Sequence, residues 1–237
     1  ASNPALPIGF GVWLCANSCP CYLLGLLHYH KVAVFTSPSD AFNLKNTNRT
    51  TTDSLQACLE ICKQAEKDAI QVRAYISTVV ACPYQGAIQA EQVLQVCEPL
   101  LEAGVYEISL GETIGVAVPQ EIEVLLQNLL KRFSAKLFAS HFHDTYGMAI
   151  ANVYKSLEMG IRSFDSSIAG LGGCPYAPGA AGNLATEDLI YLLEKLGFAT
   201  GIDWKKLLQA SEFILHTLAK KPISKVSIAL AGKKDRR

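Results

Sequence analysis

Lys31-Val-Ala-Val-Phe-Thr36 opens the stretch that decides the fold, residues 31–167, in which short apolar segments alternate with longer amphipathic ones. Apolar residues at three- and four-residue spacing predict helices, and short apolar runs between turn residues predict strands. The predicted strands are Lys31–Thr36, Gln71–Ser77, Tyr106–Leu110, Leu137–His143 and Arg162–Ser167. The predicted helices run from Thr50 or Thr51 to about Asp68, then over about Ala90–Ala103, Gln120–Phe133, Met148–Met159, Thr186–Leu196 and Trp204–Ala219. Strands that alternate with helices predict an α/β protein with a parallel sheet.

The number of strands raises a question about closure of the sheet. A (β/α)8 barrel needs eight strands in roughly 250 residues, and the pattern supplies about five. We therefore predict a TIM (β/α)8-type barrel over residues 31–237 that is incomplete at its amino end.

Residues 1–30 form a separate segment that contains no Asp, Glu, Lys or Arg. Ile8–Leu27 is apolar enough to raise the question of a membrane span, but Asn17, Ser18 and Pro20 argue against one. The missing basic region argues against a signal peptide. Cysteines and histidines of this segment match no standard zinc-site spacing, so we expect a buried or irregular segment.

The overall composition favours an enzyme that acts on a small molecule. The 237 residues carry 21 basic and 21 acidic side chains, and half of the residues are hydrophobic. This balance gives no electrostatic reason to expect nucleic acid or a membrane as partner. Eight scattered cysteines are typical of a reducing compartment.

Two motifs predict a metal-dependent active site. Ser140-His-Phe-His-Asp-Thr-Tyr-Gly147 ends a strand with two imidazoles on one side, because alternate strand residues point the same way. Ala169-Gly-Leu-Gly-Gly-Cys-Pro-Tyr176 and Gly182-Asn-Leu-Ala-Thr-Glu187 follow, and they add a thiol and an amide oxygen. Polar groups also stand on or after the other strands, where sites of parallel sheets gather: Asp40, Asn46, Tyr75, Ser77, Glu112 and Thr113.

These motifs carry a family resemblance. The glycine-rich segment from Ala169 to Asp188, with Ser109-Leu-Gly-Glu-Thr-Ile-Gly115 and the His-x-His motif, closely resembles the 3-hydroxy-3-methylglutaryl-CoA lyase family. The resemblance runs from about Ala33 to about Val226. It implies cleavage of 3-hydroxy-3-methylglutaryl-CoA to acetyl-CoA and acetoacetate, a reaction of leucine degradation and ketone body formation.

The resemblance also implies roles for particular residues. His141, His143 and Asn183 match metal ligands, and such a mixed shell favours Mg²⁺ or Mn²⁺. Cys174 matches the catalytic cysteine that protonates the acetyl-CoA enolate. Further positions match polar groups of the site, with Glu112 as a catalytic candidate in place of the usual aspartate and Tyr75, Ser109, Thr113 and Glu187 as substrate-binding candidates.

One family feature is missing from the sequence. The family opens with a strand that carries an Arg-Asp pair, the Asp on the metal and the Arg on the enolate, and no arginine precedes Arg49 here. We therefore expect a truncated or divergent amino end and an activity that is low or absent in this chain. Two alternatives are a catalytically impaired fragment and a related metal-dependent aldolase or acyl-CoA synthase. The resemblance allows a homodimer and either a bacterial cytoplasm or a mitochondrial matrix.

Overall fold

The computed structural model describes residues 30–173 and 182–234, and it has the predicted alternation of strands and helices. The strands are β1 (Lys31–Thr36), β2 (Gln71–Ile76), β3 (Ala81–Cys82), β4 (Gly86–Ala87), β5 (Glu107–Glu112), β6 (Phe138–Phe142) and β7 (Ser163–Asp165). The helices are α1 (Asp40–Thr47), α2 (Thr51–Lys67), α3 (Ala90–Glu102), α4 (Pro119–Leu130), α5 (Ala149–Glu158), α6 (Thr186–Lys195), α7 (Trp204–Thr217) and α8 (Lys225–Lys234). Two short 3₁₀ turns span Ala135–Leu137 and Ile168–Gly170.

The main sheet has five parallel strands in the order β1-β2-β5-β6-β7. Each pair of neighbours is connected through at least one helix, as parallel strands require. The five predicted strands and the incomplete barrel are therefore confirmed within the part of the chain that the structure describes.

The hydrophobic core lies between this sheet and an outer layer of helices. The sheet's outward residues, such as Val34, Ile76 and Ile108, are fully buried against that layer. Neighbouring helices from α2 to α6 contact one another in chain order around the sheet. Leu126 and Leu129 of α4 are also fully buried, as the helical spacing of apolar residues predicts.

Some elements differ from the sequence prediction. Helix α1, the β3–β4 hairpin and helix α8 had no predicted counterpart. Asp40 and Asn46, expected among the polar groups at strand ends, both belong to α1. The Asp40 carboxylate accepts a hydrogen bond from the Thr51 main-chain N–H at 2.6 Å, so it caps α2.

The suggestions about the amino-terminal segment fall outside the described residues, because Ile8–Leu27 precedes them. Within residues 30–173 and 182–234, none of the helices combines the length and the hydropathy that a membrane crossing would need.

Candidate active site

The inward face of the sheet carries an unusual row of polar side chains. Strand residues alternate between the two faces, so Arg73, Ser109 and His141 share the face opposite the helices. The register places His141 beside Gly111 on one side and beside Asp165 on the other. The carboxyl ends of the five strands therefore surround one polar site, as the barrel architecture predicts.

The two predicted metal-binding histidines lie together at the end of β6. The ring centroids of His141 and His143 are 5.4 Å apart. Burial lowers the pKa of His143 to about 4, with a contribution from neighbouring His141, so this imidazole is neutral near pH 7. A neutral imidazole is the form that binds a metal.

Asn183 reaches the same place from the other motif. Its main chain forms an antiparallel bridge with His143, and its side-chain amide donates a hydrogen bond to the Leu171 carbonyl at 2.9 Å. Gly172 lies directly against this side chain, where a Cβ would come 2.5 Å from Asn183 Nδ2. The glycine, with φ of +103°, therefore allows the loop to pack on the asparagine.

Two side-chain atoms of these residues have no hydrogen-bond partner and are of the types that bind a divalent cation. His143 Nδ1 and Asn183 Oδ1 are both buried, and neither has a hydrogen-bond partner among the described residues. Buried polar atoms are normally satisfied, so a ligand held beside the His143–Asn183 bridge would account for both unpaired atoms. The described residues contain no cluster of three His, Cys, Asp or Glu side chains suited to a metal, but the predicted set is completed by an asparagine.

A pocket of about 340 Å³ opens beside these histidines. Its lining includes both imidazoles, Tyr75, Thr113 and Gly173. The Tyr75 ring stacks on Phe35 at 4.8 Å, and Thr113 Oγ1 accepts a hydrogen bond from the Thr78 N–H at 2.8 Å. The structure thus brings two of the predicted substrate-binding residues to the pocket.

Ser109 lies deeper, in a charge cluster that the sequence analysis missed. It is fully buried, and its hydroxyl donates to Asp165 at 2.6 Å. Arg73 forms a salt bridge with Asp165 at 3.0 Å and another with Glu107 at 2.6 Å. Burial opposes ionisation of Asp165, but the hydrogen bond from His141 and the Arg73 charge outweigh it, so its pKa lies well below 3.8.

A charged residue inside an apolar strand was the available signal for this cluster. Arg73 stands in the middle of β2, and Asp165 ends β7. Lys, Arg, Asp and Glu are rarely fully buried without a partner, so such positions suggest a paired group.

Glu112 takes a different place from the other predicted site residues. It pairs in register with Phe142, on the helix side of the sheet, and it is not among the residues lining the pocket. One carboxylate oxygen accepts from the Val116 N–H at 3.1 Å, and the other is buried without a partner among the described residues. Its catalytic role stays a prediction, and its placement favours a role in shaping the loop that follows β5.

Glu187, predicted to bind substrate, is fully buried beside Ala169, the first residue of the glycine-rich segment. Both of its oxygens accept from the Ala169 N–H, at 3.0 and 3.1 Å, and the Ser211 hydroxyl donates to it as well. Ala169 has a φ of +59°, a left-handed conformation that a non-glycine residue adopts at a cost. Glu187 therefore holds the start of the loop in place. Cys174, the predicted catalytic cysteine, lies outside the described residues.

Comparison with known proteins places this chain in a family. A family model described as HMGL-like matches residues 27–214, well over half of the chain. The chain belongs to the HMGL-like family. The hydroxymethylglutaryl-CoA lyase of Pseudomonas mevalonii is 45% identical to it over 206 residues, which are 87% of this chain and 68% of that protein. The mitochondrial hydroxymethylglutaryl-CoA lyase of Bos taurus is 48% identical over 199 residues, 84% of this chain and 61% of that protein.

A solved structure of an HMGL-like relative agrees with the fold. The crystal structure of hydroxymethylglutaryl-CoA lyase from Pseudomonas aeruginosa matches with a TM-score of 0.88 and 41% identity, covering 93% of this chain and 74% of that chain. The family resemblance drawn from the sequence motifs is thereby confirmed. The chain spans 61–68% of the length of the two relatives named above.

Proposed function

We propose that this chain carries the carbon–carbon cleavage site of a hydroxymethylglutaryl-CoA lyase, which splits 3-hydroxy-3-methylglutaryl-CoA into acetyl-CoA and acetoacetate. The observation that carries the proposal is that His143 Nδ1 and Asn183 Oδ1, on two residues joined by a main-chain bridge, are buried without a hydrogen-bond partner among the described residues. The relatives from Pseudomonas mevalonii and Bos taurus, 45% and 48% identical to this chain, are both named as hydroxymethylglutaryl-CoA lyases.

The proposed cation site uses His141, His143 and Asn183. Members of the HMGL-like family are metal-dependent in general. A set of two imidazoles and one amide oxygen leaves positions open for substrate oxygens, and we assign Mg²⁺ or Mn²⁺ to it. When bound, a divalent cation supplies Lewis-acid stabilisation of negative charge on substrate oxygens.

One proton transfer is assigned to a group of the protein. The tertiary hydroxyl loses its proton to solvent, the adjacent carbon–carbon bond breaks, acetoacetate forms, and the CoA fragment leaves as an enolate. We assign protonation of that enolate at carbon to the thiol of Cys174. Tyr75 and Thr113 line the pocket and would orient the substrate. Polar contacts at fixed positions hold the reacting groups in the geometry that the reaction needs.

Ser109 and Glu187 act from further away in this proposal. Ser109 holds the Asp165 carboxylate, and Glu187 holds the Ala169 N–H at the base of the glycine-rich loop. Exclusion of water from the site would keep solvent from protonating the enolate. We further propose a homodimer located in a bacterial cytoplasm or a mitochondrial matrix.

Acetoacetate release from 3-hydroxy-3-methylglutaryl-CoA tests the proposal directly, with Mg²⁺ or Mn²⁺ present and then with EDTA. Because the Arg-Asp pair is missing, we expect low turnover, which depends on the metal and is lost in Cys174→Ala. Cys82 is the matched control, because it also begins a Cys-Pro-Tyr tripeptide, at residues 82–84. Cys82 is buried, and its sulfur accepts a hydrogen bond from the Ser39 hydroxyl at 3.1 Å. Turnover should persist in Cys82→Ala.

Turnover could fail because the chain does not bind the cation, or because it binds the cation but does not catalyse the reaction. Measuring Mn²⁺ binding distinguishes these two cases. We expect Asn183→Ala to weaken Mn²⁺ binding, measured by calorimetry, because it removes an orphaned oxygen from the site. Mn²⁺ binding without turnover would identify a catalytically impaired member of the family. Equal Mn²⁺ affinity of the wild type and Asn183→Ala would exclude this asparagine as a ligand.

A further inference from the structure

A buried charge cluster lies next to His141 of the proposed cation site. Asp165 receives two hydrogen bonds from the Arg73 guanidinium, at 3.0 and 3.2 Å, and one from Ser109 at 2.6 Å. The same guanidinium donates to Glu107 at 2.6 Å and to the Tyr75 hydroxyl. The Arg73 side chain is only 4% exposed. These contacts fix the Asp165 carboxylate in one orientation.

The fixed carboxylate faces one of the two imidazoles. Asp165 is the direct strand partner of His141, and its Oδ2 lies 3.3 Å from His141 Nδ1. An ionised carboxylate can only accept hydrogen bonds, so the shared proton belongs to the imidazole nitrogen. His141 Nδ1 therefore carries the shared proton, and Nε2 is the ring nitrogen left to bind a ligand.

The second imidazole has no such support. His143 Nδ1 is buried and lacks a hydrogen-bond partner in residues 30–173 and 182–234. The two histidines of the His-x-His motif are therefore held differently, one by a carboxylate and one by packing alone.

We infer that Asp165 is a positioning residue, which holds His141 in the Nδ1–H tautomer and presents its Nε2 to the divalent cation. The inference rests on the proposed function for the cation, while the tautomer belongs to the chain by itself. Arg73 and Ser109 keep Asp165 from turning toward the cation, because they occupy its oxygens. Carboxylates that orient a metal-binding histidine in this way commonly change metal affinity about 10- to 100-fold when they are replaced.

The first experiment needs no variant. Long-range ¹H–¹⁵N correlation spectra of the ¹⁵N-labelled, metal-free chain report which ring nitrogen of His141 carries the proton. We expect the Nδ1–H tautomer in the wild type and a shift toward the Nε2–H tautomer in Asp165→Asn. A wild-type His141 protonated on Nε2 would overturn the inference.

The second experiment measures Mn²⁺ binding by calorimetry. We expect Asp165→Asn to raise the Kd for Mn²⁺ about 10- to 100-fold. The matched control is Glu107→Gln, which removes the other carboxylate of Arg73 without touching His141, so its Kd should equal that of the wild type. An unchanged Kd in Asp165→Asn, or an equal rise in both variants, would overturn the inference.

The two experiments separate this inference from the proposed function. If the wild-type chain binds no Mn²⁺, the cation site fails, and the His141 tautomer still decides the role of Asp165. If Asp165→Asn does not fold, the His141 tautomer in the wild-type spectrum alone tests the role of Asp165.

Discussion

Glu112 makes the stability of this protein depend on pH in an uncommon direction. Its side chain is 1% exposed, and burial raises its pKa from 4.5 to about 7, although the N–H groups of the following loop partly oppose this rise. The folded protein therefore keeps the Glu112 proton to a higher pH than the unfolded chain does. Between pH 4.5 and about 7 the folded state binds more protons, so stability falls as the pH rises.

The size of this effect follows from the two pKa values. A tenfold change in proton binding corresponds to about 1.4 kcal/mol, so a rise from 4.5 to about 7 corresponds to about 3 kcal/mol. This contribution is fully present below pH 4.5 and is lost once the pH passes about 7. Glu112→Gln mimics the protonated form: its amide oxygen can keep the bond from Val116, and it cannot ionise.

Chemical denaturation of the wild type and Glu112→Gln from pH 4.5 to 8 measures the effect. We expect similar midpoints at the acidic end and a growing advantage of the variant toward pH 8, up to about 3 kcal/mol. Glu60→Gln is the control, because Glu60 is an exposed carboxylate on α2 and should give a curve parallel to the wild type. Parallel curves for the wild type and Glu112→Gln would refute the reasoning.

Two further predictions concern stability. Gly115→Ala places a Cβ 2.5 Å from Thr145 Oγ1 at a φ of +69°, and we expect it to lower the free energy of unfolding by about 1–3 kcal/mol. The control is Gly104→Ala, which has a φ of +83° and open space around it. In the same denaturation assay it should lower the free energy of unfolding by less. Arg73→Met leaves the buried carboxylate of Asp165 without its guanidinium, so we expect a loss of about 3–5 kcal/mol near pH 7 that shrinks below the ordinary carboxyl pKa of 3.8. A denaturation midpoint of Arg73→Met equal to that of the wild type would contradict the burial of this pair.

The strands and long helices could be predicted because their apolar residues repeat with the right period. Helix α1 could not, since only Phe42 and Asn43 of its eight residues are buried and its amphipathic pattern is weak. The beginning of this helix depends on Ser39, whose side chain accepts from the Phe42 N–H at 3.1 Å. Such a cap is easily mistaken for a loop residue when the following apolar pattern is weak.

Residues of the candidate site could be predicted where they stand in short motifs, and residues whose contacts depend on pairing across the sheet were missed. His141, His143 and Asn183 stand in two recognisable motifs, and the structure brings them together. Arg73 and Asp165 are 92 residues apart, and only the register of the strands shows that they meet. Periodicity reports the face on which a residue lies, but it does not report which residue lies opposite.

The buried pair of Arg73 and Asp165 bears on the arginine and aspartate that the family resemblance led us to expect. An arginine that stabilises an enolate needs free N–H groups facing the substrate, and an aspartate that binds a cation needs a free oxygen. Arg73 directs its hydrogen bonds to Glu107, Tyr75 and Asp165, and the Asp165 oxygens accept from Arg73 and Ser109 while facing His141. The pair is therefore committed to holding the site together and does not replace the expected one. Among the described residues, the proposed cation site combines His141, His143 and Asn183, and the Asp165 carboxylate beside His141 is already engaged by Arg73 and Ser109.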